Sequence, residues 1–195
     1  MAAHVPLILA SSSPRRRELL AESGYCFEVM TAPIEETLPA HLTVRETVLL
    51  NARRKGSAVA VLHPAACVVA ADTLVALEGR PLGKPATLDA AGQMLAALSG
   101  RTHQVYSGVW IEHRDAGRLA AFTEVSQVRF RALGPVEMED YLRRVHVLDK
   151  AGAYAAQEEG AAGIIEAIDG SRTNVIGLPM ERLAPILNRM GFRPG

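Results

Sequence analysis

Metal-binding pairs, thiol pairs and long apolar runs are missing from this sequence. Its two cysteines, Cys26 and Cys67, form no Cys-x-x-Cys pair, which argues against a disulfide framework and a thiolate zinc site. The histidines, His4, His41, His63, His103, His113 and His146, include no i, i+4 pair, so a histidine-based zinc hydrolase lacks its ligand spacing. No Gly-x-Ser-x-Gly elbow is present, and a serine triad has no support. Aromatic residues make up only 5%, too few for a stacking platform for single-stranded nucleic acid. Charge of neither sign dominates: 21 Lys and Arg oppose 21 Asp and Glu, so no overall field favours nucleic acid or an anionic membrane. No stretch approaches the roughly 18 consecutive apolar residues of a membrane span. The run from Val5 to Ala10 is too short for a secretory core and follows no basic residue. The expectation is a cytoplasmic domain of 195 residues that binds neither nucleic acid nor membrane.

What is present is an alternation of short apolar runs and amphipathic segments, without repeats or a linker, so a single domain over 1–195 is expected. Pro6 to Ala10 reads as a buried strand that meets a helix start at Ser13-Pro14, where Pro costs no hydrogen bond. That helix runs to about Ser23 and ends at Gly24. Thr43 to Leu62 reads as a long helix with Val44, Val48, Ala52 and Lys55 along one flank. Ala66 to Ala71 is a second buried strand ended by Asp72, with Leu74 to Leu77 continuing it to a turn at Glu78-Gly79. Thr87 or Asp89 caps a helix through Leu98, and Val105–Glu112 and Phe122–Phe130 form a hairpin around Asp115-Ala-Gly117. Glu137 to Val145 is helical, Ile164 to Ile168 a strand, and Pro179 to Met190 a closing helix. Interleaved strands and helices with a hairpin predict an α/β fold with a mixed sheet.

Three segments carry chemistry. In Ser11-Ser-Ser-Pro-Arg15-Arg16-Arg17, a strand delivers the chain into a helix N-terminus, whose free N–H groups and dipole favour an anion. Arg15 and Arg16 stand four residues before Leu19 and Leu20, the inward pair, and so flank a cleft floor, while Arg17 turns away. A solvated basic end paired with Glu18 or Glu22 is the competing reading. Asp72, at the carboxyl end of an apolar strand, lies where open α/β sheets place ligands; it can hold Mg²⁺ or accept a proton from water, or simply cap a turn. Gly79-Arg-Pro-Leu-Gly83-Lys84-Pro85 fails as a phosphate loop: three residues separate the glycines, and Pro85 replaces the magnesium-binding hydroxyl. Lys84 then reads either as a surface lysine or as a point charge for phosphate. Asp149-Lys150-Ala-Gly152-Ala-Tyr154-Ala-Ala-Gln157 mixes both charges with an amide that could read a base edge. This inventory suits phosphate chemistry with a divalent ion.

Together the segments resemble the Maf family of nucleoside triphosphate pyrophosphatases, related in fold to the inosine triphosphate pyrophosphatases. The resemblance is carried by Leu9-Ala-Ser-Ser-Ser-Pro-Arg-Arg16, Ala71-Asp-Thr73 with Leu82-Gly-Lys-Pro85, and Leu98-Ser-Gly-Arg-Thr-His103. Asp149-Lys-Ala-Gly-Ala-Tyr154 with Gln157 and Asn174-Val-Ile-Gly-Leu-Pro179 complete it. It implies an elongated, twisted mixed sheet flanked by helices, with two lobes around a central cleft. It also implies hydrolysis of a nucleoside triphosphate to the monophosphate and pyrophosphate, a divalent cation (Mg²⁺ or Mn²⁺), and a homodimer. By the same resemblance Asp72 is the catalytic acidic residue; Ser11, Arg15, Arg16, Lys55 and Lys84 bind phosphate; Glu36 joins Asp72 at the metal. Arg15, Thr73 and Gln157 occupy base-selecting positions, and Gln157 near Tyr154 resembles the dTTP and UTP subgroup. Alternatives are a purine or 7-methyl-GTP pyrophosphatase and a nucleotide-binding regulator of septum formation. The chain departs from the family pattern at Glu158-Glu159-Gly160 and at Arg172-Thr173.

Overall fold

A computed structural model describes residues 5–156 and 163–195. Strand β1 (Leu7–Leu9) runs into helix α1 (Pro14–Glu22), followed by β2 (Glu28–Val29) and the long helix α2 (Val44–Leu62). Next come β3 (Cys67–Leu77), β4 (Arg80–Leu82), α3 (Leu88–Leu98) and the hairpin β5 (Thr102–His113) and β6 (Arg118–Phe130). Helix α4 (Pro135–Arg144), a 3₁₀ turn (Ala151–Ala153), β7 (Ile165–Asp169), α5 (Arg172–Ile176) and α6 (Met180–Arg189) close the chain.

The strands form one sheet in the order β2-β1-β3-β5-β6-β7, with β4 added beside β3. β1 is parallel to β2 and β3, and the remaining pairs are antiparallel, so the expected mixed α/β sheet is observed. Local chemistry explains most element starts. Pro14 occupies the first turn of α1. A reciprocal capping box opens α2: Thr43 Oγ1 accepts from the Glu46 amide, and Glu46 Oε2 accepts from the Thr43 amide at 2.8 Å. Thr87, rather than Asp89, caps α3 by accepting from the Ala90 amide at 3.1 Å.

β3 departs from expectation. Asp72 does not end it: the strand continues unbroken from Cys67 to Leu77, and Asp72 pairs with Gly108 of β5 in its interior. Apolar residues before and after Asp72 are buried on both faces of the sheet. Strands β2 and β4 and helix α5 are too short to leave a readable period.

Two apolar cores lie along the sheet. One gathers β1, the first half of β3, α1 and α6 around Leu9, Leu20, Val69 and Leu183. The other gathers the far half of β3, α3 and α4 around Val75, Leu95, Phe130 and Tyr141. A smaller cluster packs α2 against the opposite face through Val59, Val68 and Ala70. Where the main cores part, one edge of β3 is bare of strands among the described residues: Cys67–Val69 pairs with β1, Val75–Leu77 pairs with β4, and no described strand pairs with residues 70–74 on that side. A cleft opens there. No described helix is long and apolar enough to cross a membrane.

Candidate functional site

A cavity of about 390 Å³ occupies that gap, lined by residues of both cores and by the loops around them. Successive residues of a strand face opposite sides of its sheet, and the two polar residues of β3 use this. Asp72 points towards α2, while Thr73 points towards α1 and α5, and both line the cavity.

On the α2 side, Lys55 Nζ donates to Asp72 Oδ1 and to Glu36 Oε1, both at 2.7 Å. Asn51 Nδ2 donates to Asp72 Oδ2 at 3.0 Å, so both oxygens of this 3%-exposed carboxylate are partnered. Lys84 reaches Glu36 Oε2 at 3.2 Å from the far side of the cleft. Burial raises the proton affinity of Glu36, but the hydrogen bond and charge of Lys55, with the charge of Lys84, outweigh it and hold its pKa at about 2.

On the other side, three atoms of the Arg16 guanidinium are committed to protein acceptors. Nε donates to the Gly177 carbonyl at 2.9 Å, Nη1 to Ser11 Oγ at 3.2 Å and Nη2 to Thr73 Oγ1 at 3.0 Å. Burial lowers the Arg16 pKa, while Asp72 and Glu36 favour its charge. Five N–H groups belong to a guanidinium, and two of them have no acceptor among the described residues. Thr73 Oγ1 also lies 2.9 Å from Ser107 Oγ. Arg15 reaches across the cleft mouth to Asp149 Oδ2 at 3.1 Å, and Asp149 Oδ1 accepts from Lys150 at 3.0 Å. Burial opposes ionisation of Asp149, but its hydrogen bonds to Lys150 and Arg15 lower its pKa. Arg17 is exposed, away from this group. Ser13 occupies the N-cap of α1, but its side chain caps nothing, and its amide donates instead to Ser11 Oγ at 3.2 Å.

The donor set tests a divalent ion. One oxygen each of Asp72 and Glu36 converges on a single cation, the Lys55 ammonium. Two hard carboxylate oxygens beside an open cavity match Mg²⁺ or Mn²⁺, which bind through one or two carboxylates and complete their shells with water and phosphate. Among the described residues no group of three or more His, Cys, Asp or Glu forms a closed protein cage. The residues fit an ion shared with a phosphate ligand.

The profile of the Maf-like protein family matches residues 6–190. The chain belongs to the Maf family. Among its relatives, the dTTP/UTP pyrophosphatase of Pelotomaculum thermopropionicum is 44% identical over 186 residues, 95% of this chain and 97% of that one. The dTTP/UTP pyrophosphatase of Akkermansia muciniphila is 46% identical over 189 residues, 96% of this chain and 98% of that one. The solved structure of a HAM1 protein from Coxiella burnetii shares the fold, with a TM-score of 0.50 at 16% identity, covering 95% of this chain and all of that one.

Within this Maf fold, Ser11, Arg15, Arg16, Glu36, Lys55, Asp72, Thr73 and Lys84 all line one cavity. Gln157, like Glu158 and Glu159, lies outside the described residues. Sequence reasoning missed Asn51 and Ser107, the buried partners of Asp72 and Thr73. Asn51 carried a usable signal: it stands four residues before Lys55 on α2 and so shares its face.

Proposed function

We propose that this cleft hydrolyses nucleoside triphosphates, dTTP and UTP foremost, to the nucleoside monophosphate and pyrophosphate. One observation carries the reading: a buried carboxylate, Asp72, and four cationic side chains, Arg15, Arg16, Lys55 and Lys84, face a single cavity. A triphosphate repels nucleophiles, so its charge must be neutralised and its phosphates held in line before water can attack. Arg15, Arg16, Lys55 and Lys84 do this, with Ser11 as a hydroxyl partner. Asp72 orients the attacking water and takes its proton as the water oxygen bonds to the α-phosphorus. The α–β anhydride bond breaks and pyrophosphate leaves, its charge stabilised by the surrounding cations. Asp72 and Glu36 would hold Mg²⁺ or Mn²⁺; when bound, the ion supplies further charge neutralisation on the phosphates. Arg15, Thr73 and Gln157 select the base. Pyrimidine preference is supported by relatives of this length and identity that are named dTTP/UTP pyrophosphatases. By the family resemblance the protein is also proposed to be a homodimer, which sedimentation of the purified chain would check, and its location is proposed to be the cytoplasm.

The test is a panel of nucleoside triphosphates offered to purified protein with Mg²⁺ and with chelator, with products separated. Monophosphate and pyrophosphate in equal amounts, fastest from dTTP and UTP and lost with chelator, are the expected outcome. Release of diphosphate and phosphate would refute the cleavage site. A nucleotide bound but never turned over would instead make the protein a binding regulator, and faster turnover of purine nucleotides would move the specificity.

A further inference from the structure

Asn51 is 2% exposed in the interior of α2, and every hydrogen-bonding group of its side chain is committed. Nδ2 donates to Asp72 Oδ2 and to the Thr37 carbonyl, both at 3.0 Å. Oδ1 accepts from the Thr37 amide at 3.1 Å and from Thr37 Oγ1 at 3.3 Å. An amide has two N–H donors and one acceptor oxygen, and these partners use them in only one orientation. Turning the amide over would set its oxygen against two acceptors, the Asp72 carboxylate and the Thr37 carbonyl. Thr37 follows Glu36 directly, so the same side chain touches Asp72 and pins the loop that carries the second carboxylate.

Asp72 therefore has two partners of different character. Lys55 is a cation on the cavity wall, already divided between Asp72 and Glu36, and an arriving polyphosphate competes for it. Asn51 is neutral, buried and locked by Thr37, so an anion has no comparable hold on it. We infer that Asn51 is a positioning residue for the proposed hydrolysis: it fixes the Asp72 carboxylate in one rotamer, tied to the Glu36 loop, while substrate phosphates draw on Lys55. The inference rests on the proposed function, and it adds a residue that touches neither substrate nor ion.

A double-mutant cycle tests it, with wild type, Asn51→Ala, Asp72→Asn and the double variant compared for pyrophosphate release from dTTP and for chemical denaturation. Asn51→Ala lowers kcat about 10- to 100-fold, the usual cost of losing an outer hydrogen-bond partner of a working group. KM stays within about threefold, since no substrate contact is removed. In the Asp72→Asn background the same change alters kcat by less than about threefold, because the carboxylate it orients is already gone. Asn51→Asp keeps the shape and the Oδ1 acceptor but turns an acceptor towards Asp72, and it loses at least as much kcat as Asn51→Ala. Equal losses in both backgrounds, a loss confined to KM, or failure of both Asn51 variants to fold would make Asn51 scaffold and overturn the inference. Wild-type protein that releases no pyrophosphate overturns the proposed function and this inference with it. Wild-type turnover with independent losses overturns the inference alone.

Discussion

A carboxylate in a strand interior is expensive to bury unless it is paired and hydrogen-bonded, and each oxygen of Asp72 meets that condition. The same rule governs Arg16, whose guanidinium bridges Ser11, Thr73 and the Gly177 carbonyl and so joins α1, β3 and the α5–α6 turn. His103 obeys it only in part. Nε2 lies 2.9 Å from Tyr154 Oη, a cavity-lining residue, whereas Nδ1 is buried with no partner among the described residues. Burial pushes the His103 pKa down from 6.5 to about 4. A lowered folded-state value means that the unfolded chain binds the extra proton between these limits. Stability should therefore be full above pH 6.5 and fall as pH drops towards 4, by at most about 1.4 kcal/mol per pH unit from this residue. Urea midpoints across that range, for wild type and His103→Phe, measure it: the slope should be shallower in the variant. Equal slopes would show that the imidazole carries its proton in the folded state.

At the scale of elements, the site depends on how closely α2 lies on the sheet. Gly108 of β5, opposite Asp72, makes the approach feasible: a Cβ there would sit 2.5 Å from the Val48 carbonyl carbon and oxygen. At Gly56, further along α2, a Cβ would meet side chains instead, Trp110 Cδ1 at 2.7 Å and Ala70 Cβ at 3.1 Å. Gly108→Ala must push helix backbone away, at a cost of about 1–3 kcal/mol, and must carry Asn51 and Lys55 away from Asp72. Thermal or urea unfolding should show that loss, and pyrophosphate release should fall with it. Unchanged stability and turnover would mean that α2 has slack the packing does not show. Element types were legible where periodicity was long, as in α2, α3 and the β5–β6 hairpin. β3 ends at Leu77, where the Glu78-Gly79 turn was expected, but the interruption expected at Asp72 is absent, because a lone Asp in an apolar run only looks like a stop signal. It is instead an interior residue whose partners come from a helix some twenty positions earlier. Arg15 and Arg16 were visible through helix phase, and Asp72 as a carboxylate closing an apolar run, although it lies inside the strand and not at its end. Glu36, Lys55 and Lys84 came from family resemblance, because their pairing is entirely tertiary. Asn51 and Ser107 escaped since a polar residue on an inner face announces no partner by itself.

Across the whole molecule, two cores share one sheet and the cleft lies between them. Among the described residues two ion pairs span it, Arg15 with Asp149 at 3.1 Å and Lys84 with Glu36 at 3.2 Å. All four side chains are partly exposed, so these pairs contribute little to stability, on the order of 0–1 kcal/mol each. They are accordingly easy to exchange for phosphate. Added salt screens a multiply charged ligand more than a buried proton transfer, so raising ionic strength should increase KM for the triphosphate while leaving kcat nearly constant. A kcat that falls in parallel with rising KM would contradict this division of labour. The central claim is that Asp72 performs the chemistry in a pocket whose cations do the holding. It is tested most directly by measuring dTTP affinity calorimetrically and turnover by pyrophosphate release in Asp72→Asn. The account predicts a folded protein that still binds the nucleotide and turns it over roughly 10²- to 10⁴-fold more slowly; near-normal turnover would contradict it.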